Sequence, residues 1–281
     1  MQQRNFGATG RRVARIGQGT WNLERAERRT AVAALRRGLD LGLTHIDTAE
    51  MYGSGRVEEL VGEAIAGRRD EVFLVSKVLP QNASRRGTLA ACEASLRRLK
   101  TDDLDVYLLH WPGEHPLRDT IEAFEQLAAQ GKIRAWGVSN FDEDEVVEAV
   151  ALSAPGRVAC NQVLYHLAER AIEHAVLPVC TEQRIALVGY SPFGSGQFPS
   201  TRSGAGRVLA EIARERGATP RQIALAFLTR DPATFAIPKA SSAAHVEENA
   251  AAGALELTPS EATRIDAAFP KGRRRRGVPT I

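Results

Sequence analysis

Four side chains of complementary chemistry stand close to the ends of apolar stretches: Asp47, Tyr52, Lys77 and His110. Asp47 ends one short apolar run, and Tyr52 lies in the segment that follows it. Lys77 and His110 each end a further run. If these runs are neighbouring strands of one parallel sheet, the four side chains meet at its carboxyl edge, where barrel enzymes carry their active sites.

Together the four groups suit a proton relay to a carbonyl oxygen. A free tyrosine has a pKa of about 10, and a neighbouring ammonium is expected to lower it. Lys77 would supply that ammonium, Asp47 would hold it, and His110 could hydrogen-bond the oxygen that becomes an alkoxide. Each residue alone also has an ordinary structural role. The set as a whole predicts a carbonyl reduction with Tyr52 as the general acid.

Eight short β-favouring runs recur along the chain, and amphipathic helical stretches separate them. The predicted strands are Arg15–Gly19, Thr44–Asp47, Val72–Lys77, Leu104–His110, Ile133–Ser139, Ala159–Val163, Ala186–Tyr190 and Thr234–Pro238. Helix starts are predicted at Asp142, Thr219 and Thr258, because an acidic or amide residue follows each one three positions later.

Strands that alternate with helices predict parallel β/α units, and eight units close most simply into a (β/α)8 TIM barrel. The alternative is an open doubly wound sheet, which carries a G-x-G-x-x-G turn after its first strand. The G-x-G fragments that begin at Gly17, Gly53, Gly194 and Gly204 all lack the third glycine. The barrel is therefore favoured.

We expect one barrel domain over residues 1–281, with a loop insertion near 191–206 and a C-terminal tail near 270–281. The loop is predicted from its glycine, serine and arginine content. The basic run Lys271–Arg276 is expected to be a solvated tail.

The charge and the residue composition argue against several classes of function. The net charge of +3 is too small to argue for a nucleic-acid partner, although a basic lining could attract a phosphorylated cofactor. Three cysteines without a C-x-x-C pair, and histidines without ligand spacing, predict neither disulfides nor a metal site and favour the reducing cytoplasm. No apolar segment has the length of a membrane helix, and we expect no signal peptide and no membrane partner.

A series of motifs along nearly the whole chain resembles the aldo-keto reductase family, and most of all its bacterial methylglyoxal/aldehyde reductase branch. In chain order the motifs are GQGTW (17–21), HIDTAEMYGSGRVEELVGEAI (45–65), VSKV (75–78), SLRRLKTDDLDVYLLHWP (95–112), GKIRAWGVSNF (131–141), NQVLYH (161–166), GYSPFGSG (189–196) and IPKASS (237–242).

The resemblance implies a monomeric, NADPH-dependent reductase of small aldehydes, dicarbonyls or ketones, with Asp47, Tyr52, Lys77 and His110 as its catalytic tetrad. It implies a substrate pocket formed by Trp21 and Trp111 together with Tyr52 and His110. The cofactor contacts that it implies are Gly19, Thr20, Trp21, Asp47, Ser139, Asn140, Gln162, Tyr190, Ser191, Pro192, Phe193, Ser195, Ile237, Lys239, Ser241, Ser242, His245, Glu248 and Asn249.

Within that set, Ser139, Asn140 and Gln162 would hold the nicotinamide carboxamide, and Tyr190 would stack beneath the ring. Segment 191–195 would close over the pyrophosphate. Lys239 with the two serines that follow it would contact the 2′-phosphate, and residues 248–249 would contact the adenine.

One position departs from the family pattern. Many NADPH-using members carry an arginine near the adenosine phosphate where this chain has His245. An imidazole is only partly charged at neutral pH, whereas a guanidinium is permanently charged and can bind a phosphate with two hydrogen bonds. We therefore expect NADPH as the cofactor and keep NADH as a secondary one.

Two other functions stay open at the level of sequence. Lys77 at a strand end could form a Schiff base in an aldolase or lyase, since barrel aldolases use such a lysine. The chain could also be a regulatory subunit that binds the cofactor without turnover.

Overall fold

A small hairpin closes one end of the molecule. In the computed structural model, which describes residues 1–281, strand β1 (Gln3–Asn5) pairs antiparallel with β2 (Arg12–Ala14). The hairpin carries Phe6, which is fully buried and packs against Phe73 and Phe235 with ring centroids 4.7 Å and 5.0 Å away. Because both partners lie near the starts of strands, this aromatic cluster forms the floor of the fold.

Above the floor, eight parallel strands follow one another around the sheet in chain order. They are β3 (Gln18–Gly19), β4 (His45–Asp47), β5 (Phe73–Val78), β6 (Leu104–Leu109), β7 (Ile133–Ser139), β8 (Val158–Leu164), β9 (Ala186–Tyr190) and β10 (Thr234–Ala236). The first and last strands meet: the Gly17 N–H donates to the Ala236 carbonyl at 2.8 Å, and the Gly19 N–H to the Pro238 carbonyl at 3.2 Å. The sheet is thus a closed barrel, as predicted.

The first and last predicted strands were too long. The first begins at Gln18 instead of Arg15, and the last ends at Ala236 instead of Pro238. The seam between these two strands is held by isolated bridges, Ile16 to Ala236 and Gly19 to Lys239. A proline has no N–H to give to a sheet, which favours an early end of regular pairing at the last strand.

Ten helices accompany the strands. They are α1 (Arg28–Asp40), α2 (Arg56–Ala64), α3 (Arg85–Leu99), α4 (Leu117–Ala129), α5 (Glu143–Ala151), α6 (Val176–Glu182), α7 (Gly204–Glu215), α8 (Pro220–Leu228), α9 (Ala243–Ala252) and α10 (Pro259–Ala268). The predicted starts at Asp142, Thr219 and Thr258 are confirmed, since each forms a reciprocal capping box. None of the helices combines the length and the apolar character needed to cross a bilayer.

Side chains along the strands alternate between the two faces of the barrel wall. On β5, Phe73 and Val75 belong to the apolar cluster inside the barrel, whereas Leu74 and Val78 pack outward against the helices. The same alternation directs Lys77 inward. The apolar interior therefore ends, at the carboxyl edge, in a layer of polar side chains.

Candidate active site

Lys77 is the centre of the polar layer. Its ammonium donates to Asp47 Oδ1 at 2.6 Å, to the Thr48 carbonyl at 2.8 Å and to the Tyr52 hydroxyl at 3.3 Å. The side chains of Lys77 and Asp47 are 0% and 2% exposed, so the ion pair is shielded from solvent. Three donor positions of an ammonium are thereby used, and the Nζ atom is fixed beside the phenol.

Tyr52 reaches this position because the chain turns sharply after β4. A short 3₁₀ turn covers Tyr52–Gly55, and within it Gly53 and Ser54 have φ values of 56° and 55°. The left-handed conformation at Gly53 is natural for glycine, whereas it costs energy at Ser54. The turn starts α2 immediately afterwards, and the Tyr52 ring packs against His110 with centroids 5.9 Å apart.

Burial and charge act in opposite directions on the tetrad. Burial raises the pKa of Tyr52, and the adjacent Lys77 opposes this effect without overcoming it. The expectation of a lowered phenol pKa is therefore wrong, because the effect of burial is larger than that of the ammonium. For Lys77, burial lowers the pKa, but Asp47 and Tyr52 together outweigh it and hold the pKa above its usual value. At neutral pH Tyr52 is thus a protonated phenol beside a protonated amine.

His110 is held as a neutral imidazole. Burial and the nearby Lys77 lower the pKa of His110 to about 2. Its ring stacks obliquely against Trp111, with centroids 4.8 Å apart, and its Nδ1 atom has no hydrogen-bond partner within the protein. A neutral imidazole can donate one hydrogen bond to a carbonyl oxygen without adding a charge to the site.

Two amides connect the tetrad to the neighbouring strand ends. Gln162, on β8, donates from Nε2 to Asp47 Oδ2 at 2.7 Å, so both oxygens of the Asp47 carboxylate are engaged. Asn140, just after β7, donates from Nδ2 to the His110 carbonyl at 3.0 Å. Asn140 has a φ of 60°, a conformation that asparagine tolerates better than most residues.

The hydroxyls on this side are also paired. Ser139 donates to the backbone carbonyl of Gln162 at 2.8 Å, and Tyr190 donates to Asn140 Oδ1 at 2.9 Å. The side chains of β7, β8 and β9 therefore form one hydrogen-bonded group along the edge of the barrel. Such a group presents polar atoms in fixed positions.

The polar layer opens into a cavity of about 570 Å³ at the barrel mouth. Most of the residues predicted for the site lie in its wall. They are Gly19, Thr20, Trp21, Asp47, Tyr52, His110, Trp111, Ser139, Asn140, Gln162, Tyr190, Ser191, Ile237 and Lys239. Lys77 lies behind this wall and reaches the cavity through Tyr52.

The other predicted cofactor contacts lie outside the cavity wall, namely Pro192, Phe193, Ser195, Ser241, Ser242, His245, Glu248 and Asn249. Several of them have protein partners of their own. Phe193 packs edge-on against Phe198, and Glu248 accepts a hydrogen bond from Thr219 at 2.6 Å. Ser242 caps α9 by accepting from the His245 N–H.

The cavity wall also includes residues that sequence reasoning missed: Met51, Pro112, Asp142, Glu145, Gly277, Val278, Thr280 and Ile281. Met51 and Pro112 could have been suggested by their position next to tetrad residues. Asp142 and Glu145 were identified only as a helix cap, and that signal does not indicate which way the helix start faces.

The basic run Lys271–Arg276 is exposed, as expected, whereas the residues after it line the cavity. Residues 273–276 are exposed, but Arg274 pairs with Glu143 at 2.6 Å and Arg275 with Glu169 at 3.4 Å. Beyond this basic run the chain turns back, and Val278 packs against the main apolar cluster. The last residues therefore form one wall of the cavity.

The sequence profile of the Aldo/keto reductase family matches residues 15–269. The chain is 48% identical to methylglyoxal reductase YeaE of Escherichia coli (strain K12) over 259 residues, which cover 91% of this chain and 90% of that one. It is also 34% identical to glyoxal reductase of Bacillus subtilis (strain 168) over 255 residues, which cover 90% and 87% of the two chains.

Solved structures of aldo-keto reductases are also similar to this chain. An aldo/keto reductase from Klebsiella pneumoniae, crystallised with NADP and acetate, superposes with a TM-score of 0.92 at 44% identity, and each chain is covered completely. A second structure of an aldo-keto reductase from Klebsiella pneumoniae, in complex with NADPH, also has a TM-score of 0.92, at 45% identity.

Proposed function

The chain belongs to the Aldo/keto reductase family, and from that premise we propose that it reduces small neutral aldehydes and dicarbonyls with NADPH, using Tyr52 as the proton donor. It is an oxidoreductase that acts on carbonyl groups. The observation that carries the proposal is the Tyr52 hydroxyl, which lies 3.3 Å from the Lys77 ammonium in the wall of a cavity that also contains His110.

The nicotinamide end of the cofactor suits the amide-rich side of the cavity. The Gln162 amide donates to Asp47 from its nitrogen, and its oxygen is free to accept a hydrogen bond from a carboxamide. The hydroxyl of Ser139 and the amide of Asn140 lie beside it, and Tyr190 offers an aromatic face in the same wall. These residues would hold and orient the ring.

The phosphate end suits the surface around Lys239. The Lys239 ammonium lies 3.4 Å from the Ser241 hydroxyl, and Ser242 starts the ten-residue helix α9. A lysine, hydroxyls and a helix N-terminus are a favourable donor set for a phosphate. His245 adds a donor that is only partly charged, so we propose NADPH as the preferred cofactor and NADH as a weaker one.

In the proposed reaction, NADPH when bound supplies a hydride to the carbonyl carbon. His110, as a neutral imidazole, orients the carbonyl oxygen and stabilises the negative charge that develops on it. The Tyr52 hydroxyl gives its proton to that oxygen, and Lys77 stabilises the phenolate that remains. Asp47 keeps Lys77 protonated and in place. Water or solvent protons then restore Tyr52, and the product is an alcohol.

The cavity supports small substrates. Its outer wall includes Trp21, which is 41% exposed, and Trp111, so a flat or apolar carbonyl compound can pack against aromatic surface. Relatives are named for methylglyoxal and for glyoxal. We propose the same class of neutral dicarbonyls for this chain, which would act as a cytoplasmic monomer with the barrel as one catalytic unit.

The Schiff-base alternative is disfavoured by the state of Lys77. A lysine must lose its proton to attack a carbonyl carbon. Burial lowers the pKa of Lys77, but Asp47 and Tyr52 outweigh it and hold the pKa above its usual value. The alternative of a regulatory subunit is disfavoured because Asp47, Lys77 and Tyr52 form one hydrogen-bonded chain and His110 packs against Tyr52.

The test is a cofactor oxidation assay with NADPH and with NADH over a panel of small carbonyls that includes methylglyoxal and glyoxal. We expect turnover with NADPH at a higher kcat/KM than with NADH. Binding of NADPH without turnover on any carbonyl would favour the regulatory alternative. Borohydride trapping of a substrate on Lys77 would favour the Schiff-base one.

A further inference from the structure

We propose that Asp142 and Glu145 form an acidic rim that makes this enzyme select uncharged or cationic carbonyl substrates over carboxylated ones. This inference rests on the proposed carbonyl reductase activity and adds a rule of substrate charge to it. The rim is the pair of carboxylates at the start of α5, in the wall of the catalytic cavity.

The rim is placed by the strand that also carries the site. β7 ends at Ser139, and the chain passes through Asn140 directly into the Asp142 cap of α5. Both rim residues share the cavity with Tyr52 and His110. His110 is only 7% exposed, and the rim carboxylates therefore belong to the same cavity wall as a largely buried member of the tetrad.

The capping interactions hold the rim in place without neutralising it. Asp142 Oδ1 accepts from the N–H groups of Asp144 and Glu145 at 3.1 Å and 3.0 Å, and Glu145 Oε2 accepts from the Asp142 N–H at 2.8 Å. The second oxygen of each carboxylate has no hydrogen bond within the protein. A carboxyl group with an ordinary pKa, about 4, is ionised at neutral pH. Burial raises the pKa of Glu145, the neighbouring Asp142 and Glu148 carboxylates add to this effect, and the hydrogen bond from the Asp142 N–H opposes it.

No lysine or arginine forms an ion pair with Asp142 or Glu145. Arg274 pairs at 2.6 Å with Glu143, one of the two residues between the rim positions, and makes no ion pair with the rim carboxylates. Lys77 is paired with Asp47 behind the wall. The wall contains one lysine, Lys239, which follows β10, and its ammonium lies 3.4 Å from the Ser241 hydroxyl. In the order of the sheet, β10 is three strands away from β7.

A substrate carboxylate would therefore enter a cavity whose outer side repels it. Like charges interact more strongly inside a partly dry cleft than in water, because the effective dielectric constant is lower there. Repulsion between the rim and a substrate carboxylate affects both which substrates bind and how fast they bind, and salt screens this repulsion. Selectivity against anionic carbonyls should accordingly weaken as ionic strength rises.

The experiment compares two aldehydes of nearly the same shape. 4-Nitrobenzaldehyde is neutral, and 4-carboxybenzaldehyde carries a carboxylate. With NADPH, we expect the wild-type enzyme to reduce the neutral compound with a kcat/KM at least about tenfold higher at low salt, and we expect this ratio to fall in 0.5 M NaCl.

Glu145→Gln removes one rim charge and keeps the capping box, since glutamine can accept the same backbone N–H. We expect it to reduce the neutral-to-anionic ratio about three- to tenfold, through a lower KM for 4-carboxybenzaldehyde. Asp142→Asn, which retains a good N-cap residue, provides a second variant should the first fail to fold. Asp144→Asn is the matched control, because Asp144 starts the same helix but is exposed and outside the cavity wall.

Two results would overturn the acidic rim: equal kcat/KM values for the two aldehydes in the wild type, or an equal change of the ratio in Asp144→Asn and Glu145→Gln. Failure of the proposed activity looks different, because then neither aldehyde supports NADPH oxidation at any salt concentration.

Discussion

Two buried clusters of this barrel each combine a carboxylate, a cation and a tyrosine, but their hydrogen bonds are arranged differently. The catalytic cluster consists of Asp47, Lys77 and Tyr52. The anchoring cluster consists of Glu173, Arg170, Arg230 and Tyr165, and connects the segment after β8 with the end of α8 and, through Asp266, with α10.

The two clusters differ in which group accepts the proton of the tyrosine hydroxyl. Tyr165 donates its proton to Glu173 Oε1 at 2.6 Å, and Arg230 donates to the Tyr165 oxygen at 3.1 Å. Tyr52 accepts from Lys77, and no carboxylate of the protein accepts its proton. The phenol proton of Tyr52 is thus available to a substrate, whereas that of Tyr165 is held by the fold.

The cations of the two clusters also differ in how readily they release a proton. An arginine does not release its proton in proteins, whereas a lysine ammonium responds to its surroundings. In the anchoring cluster, Arg170 makes two hydrogen bonds to Glu173 and Arg230 makes one, whereas in the catalytic cluster Lys77 makes one hydrogen bond to Asp47. The same three kinds of chemical group therefore connect helices in one place and, in the proposed function, transfer a proton in another.

The largest effect is expected for Lys77→Met. It removes the cation from the catalytic cluster, and the Asp47 carboxylate then stays buried with Gln162 as its side-chain donor. We expect loss of turnover and a fall of about 3–5 kcal/mol in the free energy of unfolding, measured by urea denaturation. Adding Asp47→Asn should recover stability without recovering activity. Recovery of activity in that double variant would contradict the role given to Lys77.

Tyr52→Phe should separate activity from stability. The Tyr52 hydroxyl accepts one long hydrogen bond, so its loss should change the free energy of unfolding by less than about 1 kcal/mol. Turnover should fall roughly 10²- to 10⁴-fold, because the proton donor is gone, while NADPH still quenches the intrinsic fluorescence on binding. Steady-state kinetics that stay near the wild-type values would rule out Tyr52 as the acid.

Glu173→Gln tests the anchoring cluster through pH. Burial raises the pKa of Glu173, but hydrogen bonds and charges from Arg170, Tyr165 and Arg230 outweigh it and lower the pKa from 4.5 to about 2. The contribution of this carboxylate to the free energy of unfolding is fully present above pH 4.5 and is lost as the pH falls toward 2. The variant should be about 3 kcal/mol less stable at pH 7 and should lose less stability between these two pH values. Turnover well below its melting temperature should persist.

A matched comparison for Glu173→Gln is Glu63→Gln, which removes the exposed ion pair with Arg28. That change should cost at most about 1 kcal/mol, since both side chains are solvated. Equal pH profiles of unfolding for the Glu173 and Glu63 variants would show that the anchoring cluster contributes no special acid sensitivity.

Tyr165→Phe should have a smaller effect on stability than Glu173→Gln. It removes one hydrogen bond to Glu173, while the arginines still satisfy that carboxylate, so the expected cost is about 1–2 kcal/mol in thermal or urea unfolding. The kinetic constants should match those of the wild type. A drop in kcat comparable to that of Tyr52→Phe would erase the distinction between the two clusters.

Sequence reasoning found the catalytic cluster and not the anchoring one, for a physical reason. The members of the catalytic cluster end β4 and β5 or follow them at once, so the topology of a parallel barrel brings them together. Glu173 and Arg170 follow β8 by several residues, and Arg230 follows a helix. Their meeting depends on how α8 and α10 pack, and no spacing in the chain reports that packing.

The direction in which the pKa of Tyr52 shifts could not be predicted from the sequence, for the same reason. Spacing predicts that Lys77 lies beside the phenol, and that is correct. Whether the ammonium or the burial has the larger effect depends on how much water reaches the ring, and hence on side chains from several strands. The acidic rim is a similar case, since Asp142 and Glu145 were visible as a cap and not as part of a cavity.

By itself, the sequence determined the alternation of strands and helices, the helix caps and the polar residues at the strand ends, because these follow from periodicity and neighbours along the chain. Only the tertiary structure decided which carboxylates face the cavity, where the tail turns back, and which tyrosine keeps a transferable proton. Those properties depend on distances and burial between residues far apart in the chain, and local preferences do not specify them.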